Sequence, residues 1–296
     1  MTKEKEKNQV ALISVLAAIF LTTFKATIGI LTGSLGIKAE ALHSSLDLVA
    51  AVVTLFAIRI SSKPSDSDHH YGHGKVENFS ALIETFLLLA TCVWIVYEAI
   101  HRLTLGGDAL IIKVNPFSYI VIITSITIDI WRSRKLSRVA KKHKSQALEA
   151  DALHFSTDIW SSAVVLIGLV CVSIGKWTGI TAFYYADSIA ALMVAVLVIY
   201  VSWSLGMRAV NALLDKVPVK ESKDIEKIIK HFPDVIEYHD LRIRQSGHQL
   251  MIDATIHVDG SLTLVDAHDI SENLEKKIIE YDQFSIVTIH VEPNNH

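Results

Sequence analysis

A histidine and an aspartate four residues apart occur twice in this chain. They are His43 and Asp47, within Ala41-Leu42-His43-Ser44-Ser45-Leu46-Asp47, and His154 and Asp158, within Ala152-Leu153-His154-Phe155-Ser156-Thr157-Asp158. On a helix, positions i and i+4 share a face one turn apart. Two such helices facing each other would offer two imidazoles and two carboxylates to one point, a tetrahedral set for a divalent ion such as zinc. Imidazole with carboxylate suits zinc and neighbouring first-row ions, whereas an all-oxygen set would suit magnesium, calcium or manganese, and the lack of cysteine in the motif argues against Cu(I). A single pair is equally well explained by a hydrogen-bonded lock between helices. The repetition favours a metal, because a tetrahedral ion needs duplicated arms and a lock does not. An imidazole nitrogen holds a proton or a metal ion, not both. His43 and His154 are therefore expected to be the exchanging groups, and Asp47 and Asp158 mainly to supply charge.

The elements that carry these residues are apolar. Of 296 residues, 51% are hydrophobic and 20% charged, and the mean hydropathy is +0.38. A soluble domain is less apolar and more charged, and a net charge of −3 argues against a nucleic-acid binder. A spanning helix needs about 20 mostly apolar residues. Six runs qualify: Val10–Leu31, Ile37–Ile60, Phe79–Leu103, Asn115–Trp131, Ala147–Val172 and Ala186–Gly206, with the two His/Asp motifs in the second and fifth. An ionisable group in hydrocarbon costs about 2.5–3.5 kcal/mol on insertion scales, so such groups face protein, water or an ion. Small residues beside the motifs (Ser44, Ser45, Ala50, Ala51, Ser156, Ser161 and Ser162) permit close helix approach. The two cysteines, Cys92 and Cys171, sit in apolar runs and read as helix filler.

Lysine and arginine set the orientation. Arg132, Arg134, Lys135, Arg138, Lys141, Lys142 and Lys144 form a basic loop after the fourth run, and the 1–9 tail holds Lys3, Lys5 and Lys7. The alternate connections hold only Lys113 and Lys176. Both termini are then expected in the cytoplasm, with the first run too long for a cleavable signal peptide. Residues 10–208 form the membrane domain. Composition changes near Asp215-Lys216-Val217-Pro218, and 209–296 read as a cytoplasmic domain: helix Glu221–Phe232, strands Val235–Arg244 and Leu250–Val258, helix Leu264–Tyr281 and strand Ser285–Val291. The expected fold is an α-helical membrane protein of six transmembrane helices with a C-terminal α+β domain of order α-β-β-α-β, ferredoxin- or metallochaperone-like.

The doubled H-x-x-x-D, six spans and α-β-β-α-β tail resemble the cation diffusion facilitator family, of the bacterial zinc/ferrous-iron efflux type. So does Asp66-Ser67-Asp68-His69-His70-Tyr71-Gly72-His73-Gly74-Lys75-Val76-Glu77 between the second and third runs. The resemblance implies a homodimer exporting divalent metal from the cytoplasm by alternating access, driven by inward protons. A His/Asp quartet is similar to that of zinc-preferring members, since manganese members tend to carry more carboxylates. It further implies a second metal site at Asp66, His69 and His73, which as bare residues would equally be a solvated loop, with Asp68 and His70 beside them. A cytoplasmic zinc centre is implied at His239, His268, His290 and Glu292. The sequence departs from the family at Thr255, where a ligating histidine is expected, and His257, two residues along the same strand face, is the substitute. These histidines could otherwise be ordinary surface residues; His231, His248 and His296 are read that way. Lys75 and Asp215 match a charge pair that holds the dimer. The short basic link with a lone His143 suggests a prokaryotic inner membrane.

Other readings have less support. An intramembrane hydrolase would need a general base beside an open coordination position, and Glu84 and Glu98 lie on another run. A metal sensor or scaffold without transport, or a manganese- or iron-selective carrier, is the alternative function. Asp187 reads as an N-cap of the sixth run or a group near the outer exit. Lys25 and Asp129, inside the first and fourth runs, read as snorkelling or interhelically paired charges.

Overall fold

The computed structural model describes residues 3–33, 35–105, 116–178 and 186–294. They fall into two compact units, Met1–Ala209 and Val210–His296. Lys113 and His296 lie outside the described residues.

With so few glycines and prolines to interrupt it, the first unit is helical: α1 (Lys3–Thr32), α2 (Leu35–Ser61), α3 (Lys75–Leu105), α4 (Pro116–His143), α5 (Gln146–Thr178) and α6 (Ala186–Leu213). One expectation is corrected here. The basic stretch after the fourth apolar run is not a loop, because Arg132–Lys142 continue α4, and only Lys144 and Ser145 separate it from α5. The N-terminal tail is likewise helical from Lys3. In both cases lysines, arginines and glutamates extend the helix, since these straight-chain residues are good helix formers outside the bilayer as well.

Among the described residues, four helices are long and apolar enough to cross a membrane: Lys3–Thr32, Glu40–Ser61, Lys75–His101 and Leu192–Leu213. In α4, which carries the fourth run, Asp129 and Arg132 weaken the signal.

This unit is polar inside and apolar outside. Lys7, Ser14, Lys25, Asp47, Thr54, Glu77, Glu84, Asp129, Arg132, Asp151, His154 and Asp158 are buried. Phe20 on α1, Trp94 and Tyr97 on α3, and Val196, Tyr200 and Trp203 on α6 are exposed. In water such an exterior would be an association liability; against hydrocarbon it is the stable arrangement. A core of small and branched residues, including Ala11, Ala51, Leu55, Ile58, Leu136, Ala140, Ala147, Leu148 and Phe155, packs α1, α2, α4 and α5 together. Ala81 of α3, Ala150 of α5, and Leu205 and Ala209 of α6 form a second cluster.

The second unit runs α7 (Val219–Lys230), β1 (Glu237–Ser246), β2 (Gln249–Asp259), α8 (Leu264–Tyr281) and β3 (Ile286–Asn294). Its sheet has the order β1-β2-β3, β1 antiparallel and β3 parallel to β2. The β1–β2 turn places Gly247 at φ +60°, open to glycine without strain. Thr263 caps α8 by accepting the Asp266 N–H at 3.2 Å, and its hydroxyl donates back to the Asp266 carboxylate at 2.6 Å. Both helices lie on one sheet face, with Ile225, Ile229, Leu274 and Ile278 packed against Ile243, Ile252, Ile256 and Val258. Because strand side chains alternate, Thr255, His257, His290 and Glu292 occupy the other face. The register sets Thr255 opposite His290 and His257 opposite Glu292.

Candidate metal centres

The four residues of the doubled motif come together between α2 and α5. His43 Nε2 is 3.7 Å from Asp158 Oδ1 and 3.9 Å from Asp47 Oδ1. His154 Nε2 is 3.1 Å from Asp47 Oδ1 and 3.7 Å from Asp158 Oδ2. Ligands about 2.0–2.2 Å from a tetrahedral zinc ion lie about 3.3–3.6 Å apart. One ligand atom each from His43, Asp47 and Asp158 can share an ion, and His154 adjoins that group through Asp47 and the other Asp158 oxygen. A plain interhelical lock would be complete with the His154–Asp47 contact alone. Asp158 Oδ2 is instead buried with no hydrogen-bond partner, the state of an oxygen placed to bind a cation. The side chain of His43 is 35% exposed and that of His154 only 5%, so His43 is the arm nearer to an opening.

Polar residues around the quartet position it. Lys25 of α1 is buried and donates to Ser44 Oγ at 2.8 Å and Glu40 Oε2 at 3.1 Å, which settles its role as interhelical pairing beside His43. Asp129 accepts from Arg132 at 3.3 Å, and Arg132 also donates to Ser14 Oγ at 3.1 Å. Ser14 in turn donates to Asp151 Oδ2 at 3.2 Å. The Arg132 guanidinium lies 3.4 Å from the ring centroid of Phe155, the neighbour of His154. Sequence reasoning used Arg132 only as a topology signal and passed over Ser14 and Asp151. The spacing held a clue, for Asp151 precedes Asp158 by seven residues and so shares its helix face.

The loop between α2 and α3 gathers Asp66, His69 and His73. Asp66 Oδ1 is 3.3 Å from His69 Nδ1, and Asp66 Oδ2 is 3.5 Å from His73 Nε2. The imidazole centroids are 4.3 Å apart, and one ligand atom from each residue can share an ion. The His69 backbone N–H, 2.7 Å from Asp66, is the main cause holding this carboxyl below the usual carboxylate range. Burial opposes it as the next-largest effect, and the Asp68 N–H and the His69 and His73 rings add to the lowering. Gly72, at φ +73°, allows the turn that brings His73 back. Asp68 and His70 are exposed and outside the group.

In the second unit, His239, His257 and Glu292 form a third group. Glu292 Oε2 is 3.6 Å from His239 Nε2 and 3.7 Å from His257 Nε2. The two rings are 5.0 Å apart, and His290 Nε2 lies 3.5 Å from the other Glu292 oxygen. Strand alternation puts His257 in the position that Thr255 vacates. His268 is exposed on α8, which covers the opposite sheet face, and it stands outside the group. Asp215, at φ +55°, pairs with Arg244 at 3.6 Å within this unit, and Lys75 opens α3. Asp187 lies in the first turn of α6.

Residues 11–214 match the cation efflux transmembrane domain, and residues 217–294 match the cytoplasmic domain of cation efflux proteins. The cation-efflux pump FieF of Salmonella arizonae is 31% identical over 267 residues, which cover 88% of this chain and 84% of that protein. FieF of Yersinia enterocolitica is 30% identical over the same coverage. Among solved structures, the metal-bound C-terminal domain of the CzcD transporter from Thermotoga maritima is 33% identical, covering 26% of this chain and 92% of that one at a TM-score of 0.25. The transmembrane match spans more than half of the chain, which therefore belongs to the cation diffusion facilitator family of cation-efflux transporters.

Proposed function

We propose that this transporter exports Zn2+ from the cytoplasm in exchange for protons, by alternating access around the His43/Asp47/His154/Asp158 quartet. The observation that carries this reading is the gathering of two imidazoles and two carboxylates, with contacts of 3.1–3.9 Å, inside a polar-cored, apolar-surfaced helical unit. Borderline nitrogen and oxygen donors favour zinc, with Fe2+, Co2+ and Cd2+ as competing cargo. Protonation of either imidazole on the side where the site is open would expel the ion. In this reading α1 to α6 all span an inner (cytoplasmic) membrane with both termini inside. The chain acts as a homodimer, with Lys75 and Asp215 contributing charges to its hold. Asp66/His69/His73 and the cytoplasmic His239/His257/Glu292 group, with His290 beside it, are further Zn2+ sites.

Zinc uptake into proteoliposomes under an imposed pH gradient tests the function. Wild type is expected to accumulate zinc in proportion to the gradient, and the double variant His43→Ala, Asp158→Ala to lose at least ten-fold in rate. Unchanged flux in that variant would disprove the assignment of the quartet. Zinc binding without any gradient-driven flux would favour a sensor or scaffold instead.

A further inference from the structure

Glu84 of α3 and Asp151 of α5 are fully buried carboxylates that the quartet does not use. Each has one satisfied oxygen: Thr54 donates to Glu84 Oε1, and Ser14 donates to Asp151 Oδ2. The other oxygen of each, Glu84 Oε2 and Asp151 Oδ1, is buried with no partner. Asn78 bonds Gln146 at 2.8 Å, and Ala81 packs in one cluster with Ala150, so α3 and α5 run side by side in step. Ser80, one turn from Glu84 on the same face, also has a buried hydroxyl without a partner.

The placement follows a period of seven. On α2 the polar positions are Asp47, Thr54 and Ser61; on α3, Glu77 and Glu84; on α5, Asp151 and Asp158. Seven residues are about 10.5 Å of helix. The quartet forms one layer, Thr54/Glu84/Asp151 a second, and Ser61/Glu77 with Lys7 and Ser145 a third at the helix ends next to the α2–α3 loop. Glu77 is fully engaged by Lys7, Ser61 and Ser145. Of the three layers, only the quartet and the middle one present carboxylate oxygens without a partner. Arg132 reaches Asp151 only through Ser14, and two buried carboxylates that each keep an oxygen without a partner are costly unless a cation or a proton sits between them.

We propose that Glu84 and Asp151 form a second, all-oxygen cation station in the membrane unit, a waypoint between the cytoplasmic helix ends and the quartet. This rests on the proposed export route. Its donors, two carboxylates with the Thr54 and Ser80 hydroxyls nearby, suit hard divalent ions and hold zinc more loosely than imidazole does. A waypoint needs that weak grip, because an ion must leave it for the quartet.

The test uses the full chain in nanodiscs, with the other three groups removed by His43→Ala, Asp158→Ala, Asp66→Ala, His73→Ala, His239→Ala and His257→Ala. Mn2+ titrated into this background and followed by electron paramagnetic resonance is expected to show one bound ion per chain. Glu84→Gln with Asp151→Asn is expected to abolish it, and Thr54→Val, which keeps both carboxylates, to weaken it several-fold. No bound Mn2+ in the background, or Mn2+ that survives the double change, overturns the station. In the otherwise native chain, Glu84→Gln is expected to slow zinc flux at least five-fold while zinc affinity of the quartet by calorimetry is unchanged. Native flux in that variant also overturns it, as does an altered proton-to-zinc ratio with Mn2+ binding intact, which would make the pair a proton carrier. Failure of the export reading is separate, since it appears as insensitivity of flux to the quartet variants.

Discussion

Arg132 shows how one residue serves two scales of the structure. Its charge belongs to the basic segment that orients the chain, yet its guanidinium is buried, joined to Asp129 and Ser14 and stacked on Phe155. Replacing it by leucine leaves Asp129 buried without its partner, a loss of about 3–5 kcal/mol for a buried pair. Thermal unfolding in detergent is expected to show a clearly lowered midpoint for Arg132→Leu and a smaller change for Arg134→Leu. Asp66 carries a pH prediction. Its carboxyl is held low chiefly by the His69 N–H. A depressed carboxylate stabilises above its unfolded pKa of about 3.9, and that contribution is lost only as pH falls through the lower folded value. Asp66 thus remains an ionised ligand at pH 5, so a loss of metal from the loop on acidification would come from proton competition for the ligand nitrogens. With the quartet and cytoplasmic ligands removed, calorimetry should find zinc affinity at the loop falling at least ten-fold from pH 7 to pH 5. Asp66→Asn should weaken binding at both values without abolishing the pH dependence.

At the scale of elements, close approach decides function. Thr85 of α3 sits so near Gly206 of α6 that a Cβ there would lie 2.7 Å from its methyl carbon. Gly206→Leu must push α6 off α3 and disturb the Leu205/Ala209 contacts with Ala81 and Ala150. Overpacking of this kind costs about 1–3 kcal/mol. A matching drop in thermal midpoint and slower zinc flux are expected, with Gly206→Ala milder. In the sheet, β2–β3 register selects the ligands. Within one chain, His257→Ala should remove zinc from the His239/Glu292 group, whereas His268→Ala should leave the monomer's zinc count unchanged. Zinc counting by mass spectrometry of the native-state protein would check both.

At the scale of the whole molecule, two units follow opposite solvent rules. The second buries isoleucine and leucine between helices and sheet. The first buries lysine, arginine and carboxylates and exposes tryptophan and tyrosine. That inversion is legible in the amino-acid composition, because apolar runs with His/Asp pairs differ from a charged C-terminal part. The element order of the second unit is equally plain, since its helical and strand periods are clean. Helix ends are less so: the basic segment after Trp131 looks like a loop by charge, and helix propensity carries α4 through it to His143.

From sequence alone, the i, i+4 spacing determines that His43 faces with Asp47 and His154 with Asp158, because helix geometry is local. It equally determines that Asp66, His69 and His73 share a short loop. Contacts between elements are not local. Only packing decided that α2 and α5 bring their pairs within 3.1–3.7 Å of each other, and that Lys25 reaches Ser44 and Glu40. Only packing placed His257 with Glu292 while leaving His268 on the far face of the sheet. The same holds for Glu84 and Asp151. Each is an unremarkable acid in its own helix, and the free, buried oxygens exist only once α3 and α5 lie side by side and exclude water.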